Sequence, residues 1–175
     1  MTDRQKRHFM KSASVAALAT GFAPMSLRAQ GKGAPLPAIG SAFSLPKIPM
    51  LDGTKFEPAS ADGRILVLYW WASWCPFCAQ QSPEMEKLWR ARKASGLMML
   101  GLSIDKKPEA ASDYLTRKGY TFPSGWVDAE VARHLPKPKG LPVTIVRGRD
   151  GKVLQAEPGQ MFPEDVELIG KWLDA

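Results

Sequence analysis

Cysteine and histidine are scarce in this sequence, which has two of each among 175 residues. A structural zinc site takes four nitrogen or sulfur ligands, so the two cysteines, Cys75 and Cys78, would need both histidines. His8 lies near the N-terminus, and His134 lies on a predicted short helix, where a solvated or capping side chain is more common than a ligand. We therefore expect neither a metal site nor a cofactor.

Long apolar runs and long basic runs are also missing. No stretch reaches the ~20 strongly apolar residues that cross a bilayer, so we expect no permanent membrane span. The formal net charge is +7, and residues 1–29 hold five cations and one anion, which is +4 of that total. The remaining +3 includes no long Lys/Arg block, which disfavours a nucleic-acid partner.

The N-terminal residues have the pattern of an export signal. A basic start through Lys11 is followed by a mildly apolar stretch and by small residues near Ala29, which predicts a signal peptide at residues 1–29 and a bacterial periplasmic protein. The run KRHFMK resembles a twin-arginine signal with lysine in place of the first arginine; ordinary secretion is the alternative. Residues 30–39, rich in Gly and Pro, predict a flexible linker, and residues 40–175 predict one domain.

Strand and helix patterns alternate along that domain. Residues 65–71 form an unbroken apolar run, typical of a strand buried on both faces of a mostly parallel sheet. Proline opens and glycine follows residues 108–118, which indicates a helix. The element order predicts an α/β domain with a mixed central sheet flanked by helices. The other predicted elements are a helix from the cysteines to Ala94, strands at 43–48, 97–104, 143–147 and 152–156, and helices at 128–135 and 164–173.

The two cysteines lie where the buried strand passes into a helix. Cys75 precedes Pro76, and proline is well tolerated at the first position of a helix. Residues three apart share a helix face, so the sulfurs of Cys75 and Cys78 can approach each other. Unpaired N–H groups and the positive end of the helix dipole favour a thiolate at Cys75. This pattern predicts Cys75 as the nucleophile and Cys78 as the resolving thiol.

Other uses of a C-x-x-C pair fit less well. Covalent haem attachment needs a histidine directly after the second cysteine, where Ala79 stands. A purely structural disulfide would close a very small loop and stabilise little. Copper(I) binding by the two thiols stays open, because soft thiolates suit that ion.

Several segments together resemble the TlpA-like thiol-disulfide oxidoreductases of the thioredoxin superfamily. They are ILVLYWWASWCPFC, GLSIDKKPEA, TFPSGWVDAEVARHL, GLPVT and GRDGKV. The resemblance implies a thioredoxin fold and a cis peptide bond before Pro142. It also implies that Leu141, Pro142 and Val143 form a platform for an extended substrate segment opposite the cysteines.

The aromatic residues around the cysteines are candidates for substrate contact. Trp74 is expected to shield the disulfide and to offer an apolar surface, and Phe77 is expected to be exposed and to influence partner fit. Together with Pro76, which lies between the cysteines, they complete the predicted substrate-binding set.

The sequence differs at four positions from the families with which it can be compared. Tyr69 stands where thioredoxin has a buried aspartate, and Gln81 stands where many TlpA-like proteins have a glutamate. Val143 replaces a glutamate common in the cytochrome-c-maturation subgroup, and Ala72 replaces the threonine that peroxiredoxins need. The usual proton-handling acid is therefore missing, and peroxidase activity is disfavoured.

From these residues we predict an exported thiol-disulfide oxidoreductase. It would receive electrons from a membrane thiol carrier and reduce disulfides of other exported proteins through Cys75 and Cys78. Two alternatives stay open: a disulfide-introducing oxidase or isomerase of the same fold, and a non-catalytic copper(I) chaperone.

Overall fold

The computed structural model describes residues 33–174. The predicted signal peptide, residues 1–29, lies outside the described residues. The strands are β1 (Ile48–Pro49), β2 (Lys55–Phe56), β3 (Leu66–Trp71), β4 (Met98–Ser103), β5 (Ser124–Trp126), β6 (Val143–Arg147) and β7 (Val153–Pro158). The helices are α1 (Pro76–Arg92), α2 (Pro108–Lys118), α3 (Ala129–His134) and α4 (Pro163–Leu168), and 3-10 segments span Pro58–Ala61, Lys93–Ser95 and Ile169–Leu173.

Five strands form the central sheet in the order β5-β4-β3-β6-β7. β4 lies parallel to β3 and to β5, whereas β6 is antiparallel to both β3 and β7. The sheet is therefore mixed, as the order of sequence patterns predicted. β1 and β2 make a separate two-stranded hairpin.

The middle strand β3 is buried on both faces. All six of its residues are buried, and alternate side chains enter two different core clusters. Tyr69 and Trp71 pack with Met85 of α1, while Trp70 packs in the cluster that contains Val131 of α3. Because successive side chains of a strand point to opposite faces, helices on both faces account for the uninterrupted apolar run in the sequence.

Proline and glycine set the limits of the helices. α2 begins at Pro108 and ends before Gly119, whose φ of 67° is in the left-handed region that favours glycine. α1 continues into the Lys93–Ser95 segment, which ends at Gly96 with φ 94°. These limits match the predicted helices closely.

The predictions were less successful at short or irregular elements. The strand predicted at 43–48 is a strand only from Ile48; the backbone N–H of Phe43 instead donates to Gly151 O in a loop contact. The helix predicted at 164–173 changes to 3-10 geometry at Ile169. β5 was not predicted, since three residues that include a glycine carry almost no strand signal.

The strand directions bring four segments together at the C-terminal ends of β3 and β4, which form the sheet edge that contains the site. β3 and β4 end at this edge, and β6, which is antiparallel to β3, begins there. The register pairs Trp71 with Ser103 and Trp70 with Val143. The cysteines that follow β3 therefore lie between the loop after β4 and the loop before β6. The end of β7 lies on the far side of β6.

Candidate active site

Cys75 caps the N-terminus of α1. Its backbone is extended (φ −85°, ψ 116°), and its sulfur accepts a hydrogen bond from the Cys78 backbone N–H at 3.3 Å. Pro76 occupies the first helical turn, where its missing N–H costs nothing. The N–H contact and the positive end of the helix dipole both stabilise negative charge on this sulfur.

Cys78 lies deeper than Cys75, and both are free thiols. The two residues are 1% and 4% exposed, respectively. Burial raises the pKa of the Cys78 thiol well above its usual value, and the contact with Cys75 raises it further. Cys78 is therefore protonated at neutral pH, which suits a thiol that acts only after Cys75 has reacted.

Tyr69 lies beneath the cysteines and occupies the position at which thioredoxin has a buried aspartate. Its hydroxyl donates to the Cys78 backbone carbonyl at 3.3 Å and lies 3.1 Å from the Ser82 hydroxyl. Burial is the main cause that raises the pKa of Tyr69 far above its ordinary value. This neutral phenol stabilises the first turns of α1 without adding charge near the thiols.

Gln81 connects three parts of the site and is fully buried. Its amide nitrogen donates to the Thr144 hydroxyl at 3.0 Å, and its amide oxygen accepts from the Met161 backbone N–H at 2.8 Å. The nitrogen also lies 3.6 Å from the Met85 sulfur. Gln81 thus joins the cysteine helix to β6 and to the loop before α4 through neutral hydrogen bonds.

Asp105 holds the loop that leads into Cys75. This carboxylate is 4% exposed; it accepts from the Ser73 backbone N–H at 3.1 Å and from the Ser73 hydroxyl at 2.6 Å. The Ser103 hydroxyl donates to it at 2.8 Å, and the Trp126 indole N–H donates to the Asp105 backbone carbonyl at 2.8 Å. Three donors compensate for its burial, so this acid fixes the backbone two residues before Cys75.

Pro142 lies at the start of β6, opposite the cysteine segment. The Leu141–Pro142 peptide bond is cis, as the resemblance implied. Pro142 and Val143 are buried and Leu141 is half-buried. The Pro142 carbonyl accepts from the Gly159 backbone N–H at 2.8 Å, which fixes the segment against the loop after β7.

The aromatic residues beside the cysteines are exposed. Trp74 is 64% and Phe77 55% exposed, although most large apolar side chains of the described residues are buried. The structure thus brings the eight predicted site residues to one edge of the sheet, while their roles in substrate binding stay predictions.

Two contacts of the site were not found from the sequence alone. The Asp105–Ser73 contact joins residues 32 apart, and the Gln81–Thr144 contact joins residues 63 apart. A polar residue directly after a buried strand was the available signal for Asp105, since the ends of neighbouring parallel strands meet at one sheet edge.

Within residues 33–174, no cluster of three or more His, Cys, Asp or Glu side chains could hold a metal ion. In the same residues, no helix is both long and apolar enough to span a bilayer.

Comparisons with known proteins all point to thiol-disulfide chemistry. The model of the Redoxin family matches residues 31–170. The thiol-disulfide oxidoreductase ResA of Bacillus thuringiensis subsp. konkukian is 28% identical over 120 residues, covering 67% of this chain and 68% of that protein. ResA of Geobacillus kaustophilus is 25% identical over 130 residues, covering 74% and 75%.

Solved structures give the same fold. A thiol:disulfide interchange protein of the thioredoxin family from Chlorobium tepidum TLS superposes with a TM-score of 0.70 at 22% identity, covering 78% of this chain and 99% of that chain. At this identity the similarity establishes the thioredoxin fold.

Proposed function

The chain belongs to the Redoxin family and is a thiol-disulfide oxidoreductase, and on this premise we propose that it is an exported reductase of disulfides in other exported proteins. The observation that carries the proposal is the pair of thiols at the start of α1, with the Cys75 sulfur bound to the Cys78 N–H and Cys78 buried behind it.

The reaction needs no group beyond these two thiols. The Cys75 thiolate attacks one sulfur of the client disulfide, forms a mixed disulfide and releases the first client sulfur as a thiolate, which takes up a proton. Cys78 then loses its proton, attacks the Cys75 sulfur and releases the second client sulfur. The client gains two electrons and two protons, and the protein ends with a Cys75–Cys78 disulfide.

The client segment is proposed to lie between the exposed aromatic pair and the Pro142 segment. Trp74, Pro76 and Phe77 would contact it from the side of α1, and Leu141, Pro142 and Val143 would contact it from β6. Proline at 142 supports this placement, because it has no N–H to compete for the sulfur.

Regeneration of the dithiol requires an electron donor. A protein outside the cytoplasm has no access to the cytosolic thiol pool, so a membrane thiol carrier is the proposed donor, and the periplasm is the proposed location. The export signal predicted at residues 1–29 is the sequence feature that supports both.

Reduction of insulin by the dithiol protein tests the activity. The reduced protein should precipitate the insulin B chain faster than dithiothreitol alone, and the Cys75→Ser variant should not. Stoichiometric copper(I) binding by a protein without this turnover would instead indicate the chaperone alternative.

The redox state in cells tests the direction. Acid quenching and alkylation of exported extracts should find mainly the dithiol form. A mainly disulfide population would contradict a reductase and favour the oxidase.

A further inference from the structure

Cys75 lies between two loops that carry lysines. The parallel pairing of β3 with β4 places residues 104–107 beside the segment that follows β3. The antiparallel pairing of β3 with β6 places residues 136–142 on its other side. Neighbouring strands lie about 4.8 Å apart, so these two loops are the nearest chain segments to the cysteines across the sheet edge.

Each of these loops contributes two cations. Lys106 and Lys107 follow β4 and are exposed, and Lys139 is exposed while Lys137 is half-buried in the loop before β6. The only acid in either loop is Asp105, which is buried and bonded to Ser73 and Ser103. Residues 72–78 carry no charged side chain. The two loops and residues 72–78 together carry a formal net charge of +3.

The lysine loop before β6 is held in place on both sides. The Lys137 ammonium donates to the carbonyls of Pro138 at 2.5 Å and Gly140 at 2.7 Å. Ala34, in the segment predicted as a linker, donates its N–H to Lys137 O and accepts from Lys139 N–H, at 2.9 and 3.0 Å. The Lys137 ammonium and the backbone of Lys139 are therefore held in place.

Lys137 also interacts with the thiols through space. Burial lowers the pKa of Lys137, and a thiolate at Cys78 would oppose that shift. Lys137 is therefore within electrostatic reach of the cysteine pair, although Cys78 itself is a neutral thiol.

Three acids lie in the segments that adjoin these loops. Glu109 is in the first turn of α2. Asp128 and Glu157 belong to the segments of β5 and β7, one strand farther from β3, and both accept hydrogen bonds from their own neighbours. One strand farther means roughly 10 Å from β3, so these two acids act on Cys75 more weakly than charges in the two neighbouring loops.

We propose that the clients carry acidic residues on both sides of the reactive disulfide, together with an apolar residue that contacts Trp74 or Phe77. The proposal rests on the reductase function above and specifies its substrate class. Opposite charges across the encounter surface raise association rates by 10-fold or more at low salt.

Matched disulfide peptides test the proposal with the full dithiol domain. Three peptides would share one sequence with a central disulfide and one Phe, and differ only at four flanking positions, which are Glu, Gln or Lys. The rate constant of each with the reduced protein is divided by its rate constant with dithiothreitol, which removes differences in intrinsic reactivity. The normalised rate should fall in the order Glu, Gln, Lys, with a Glu to Lys ratio on the order of tenfold at low salt that shrinks in 0.5 M NaCl.

A pair of triple variants assigns the effect to these loops. Lys106→Gln, Lys107→Gln and Lys139→Gln together should bring the Glu to Lys ratio close to one; any change in thiol reactivity acts on all three peptides alike and cancels in this ratio. The control is Lys55→Gln, Lys87→Gln and Lys118→Gln, which removes the same charge from exposed positions away from the site and should keep the ratio. Lys87 lies twelve residues beyond Cys75, roughly 18 Å along α1.

The outcomes separate the two proposals. Equal normalised rates for the three peptides would overturn the acidic-client inference and leave the reductase function standing. No reaction with any peptide would overturn both. Binding to phosphatidylglycerol vesicles that depends on the same lysines, without a peptide preference, would assign the surface to a membrane and would also overturn the inference.

Discussion

The side-chain amide of Gln81 donates to the hydroxyl of Thr144 at 3.0 Å and joins the helix of the cysteines to the strand that follows Pro142. With Met161 as the third member, this contact fixes the relative position of the thiols and the proposed substrate platform. All three groups are neutral, so the contact does not depend on pH. A glutamate here would add a titrating group one helical turn beyond Cys78.

Replacement of the Gln81 amide by a carboxyl group should slow the alkylation of Cys75 at a given pH. In Gln81→Glu the new group is buried, and its negative charge would disfavour a thiolate nearby. We expect the pH midpoint of the Cys75 alkylation rate to lie higher in Gln81→Glu than in the unmodified protein. Iodoacetamide rates against pH measure both.

Gln80→Glu is the matched control for that experiment. Gln80 is exposed and bonds Gln160, so a charge there is screened by water. The pH midpoint of Cys75 alkylation in Gln80→Glu should stay close to that of the unmodified protein. An equal shift in both variants, or no shift in Gln81→Glu, would show that the buried position has no special coupling to the thiols.

The unequal burial of the two cysteines predicts unequal trapping. Cys78→Ser should accumulate mixed disulfides with client proteins through Cys75, because no second thiol remains to release them. Cys75→Ser should lose exchange, since the remaining thiol is 1% exposed and its pKa is raised by burial. Non-reducing electrophoresis of the two variants measures the adducts, and equal trapping by both would reverse the assigned roles.

Patterns within short stretches predicted much of this fold. The apolar run of β3 and the Pro and Gly limits of α2 depend on a few adjacent residues, and both were confirmed. The TlpA-like resemblance was confirmed by the Redoxin match and the ResA relatives. In contrast, Gln81 reaches Thr144 across 63 residues and depends on the sheet register. No local pattern encodes that pairing, so the sequence indicated only that the usual acid was missing.

The burial of Asp105 predicts a stability role for this acid. In Asp105→Asn, one carboxylate oxygen that accepts from Ser73 or Ser103 becomes an amide donor, so at least one of these buried hydrogen bonds is lost. The free energy of unfolding should fall by about 1–3 kcal/mol, and the alkylation of Cys75 should change because the loop before it is less well held. Urea unfolding of the oxidised protein measures the first effect. Asp113→Asn, at an exposed position of α2, should change neither quantity, and a similar loss there would remove the special role of Asp105.

The raised pKa of Cys78 predicts a stability loss at high pH that belongs to the reduced protein alone. The unfolded thiol ionises near its usual value of 9.0, whereas the folded thiol stays protonated to a much higher pH. Below pH 9 both states hold the proton, so the stabilisation is complete. Above pH 9 the unfolded state binds fewer protons, and the free energy of unfolding of the reduced protein decreases as pH rises toward the folded pKa.

The oxidised protein has no thiol at this position, and Cys78→Ser removes it from the reduced protein, so both should lack this part of the decrease. Tyrosines and lysines titrate in the same range in all three forms, so the difference between the reduced protein and Cys78→Ser isolates the thiol. Urea unfolding at several pH values between 7 and 10.5, in steps of roughly half a unit, measures it; parallel curves for the reduced protein and Cys78→Ser above pH 9 would mean that the folded thiol ionises as readily as the unfolded one.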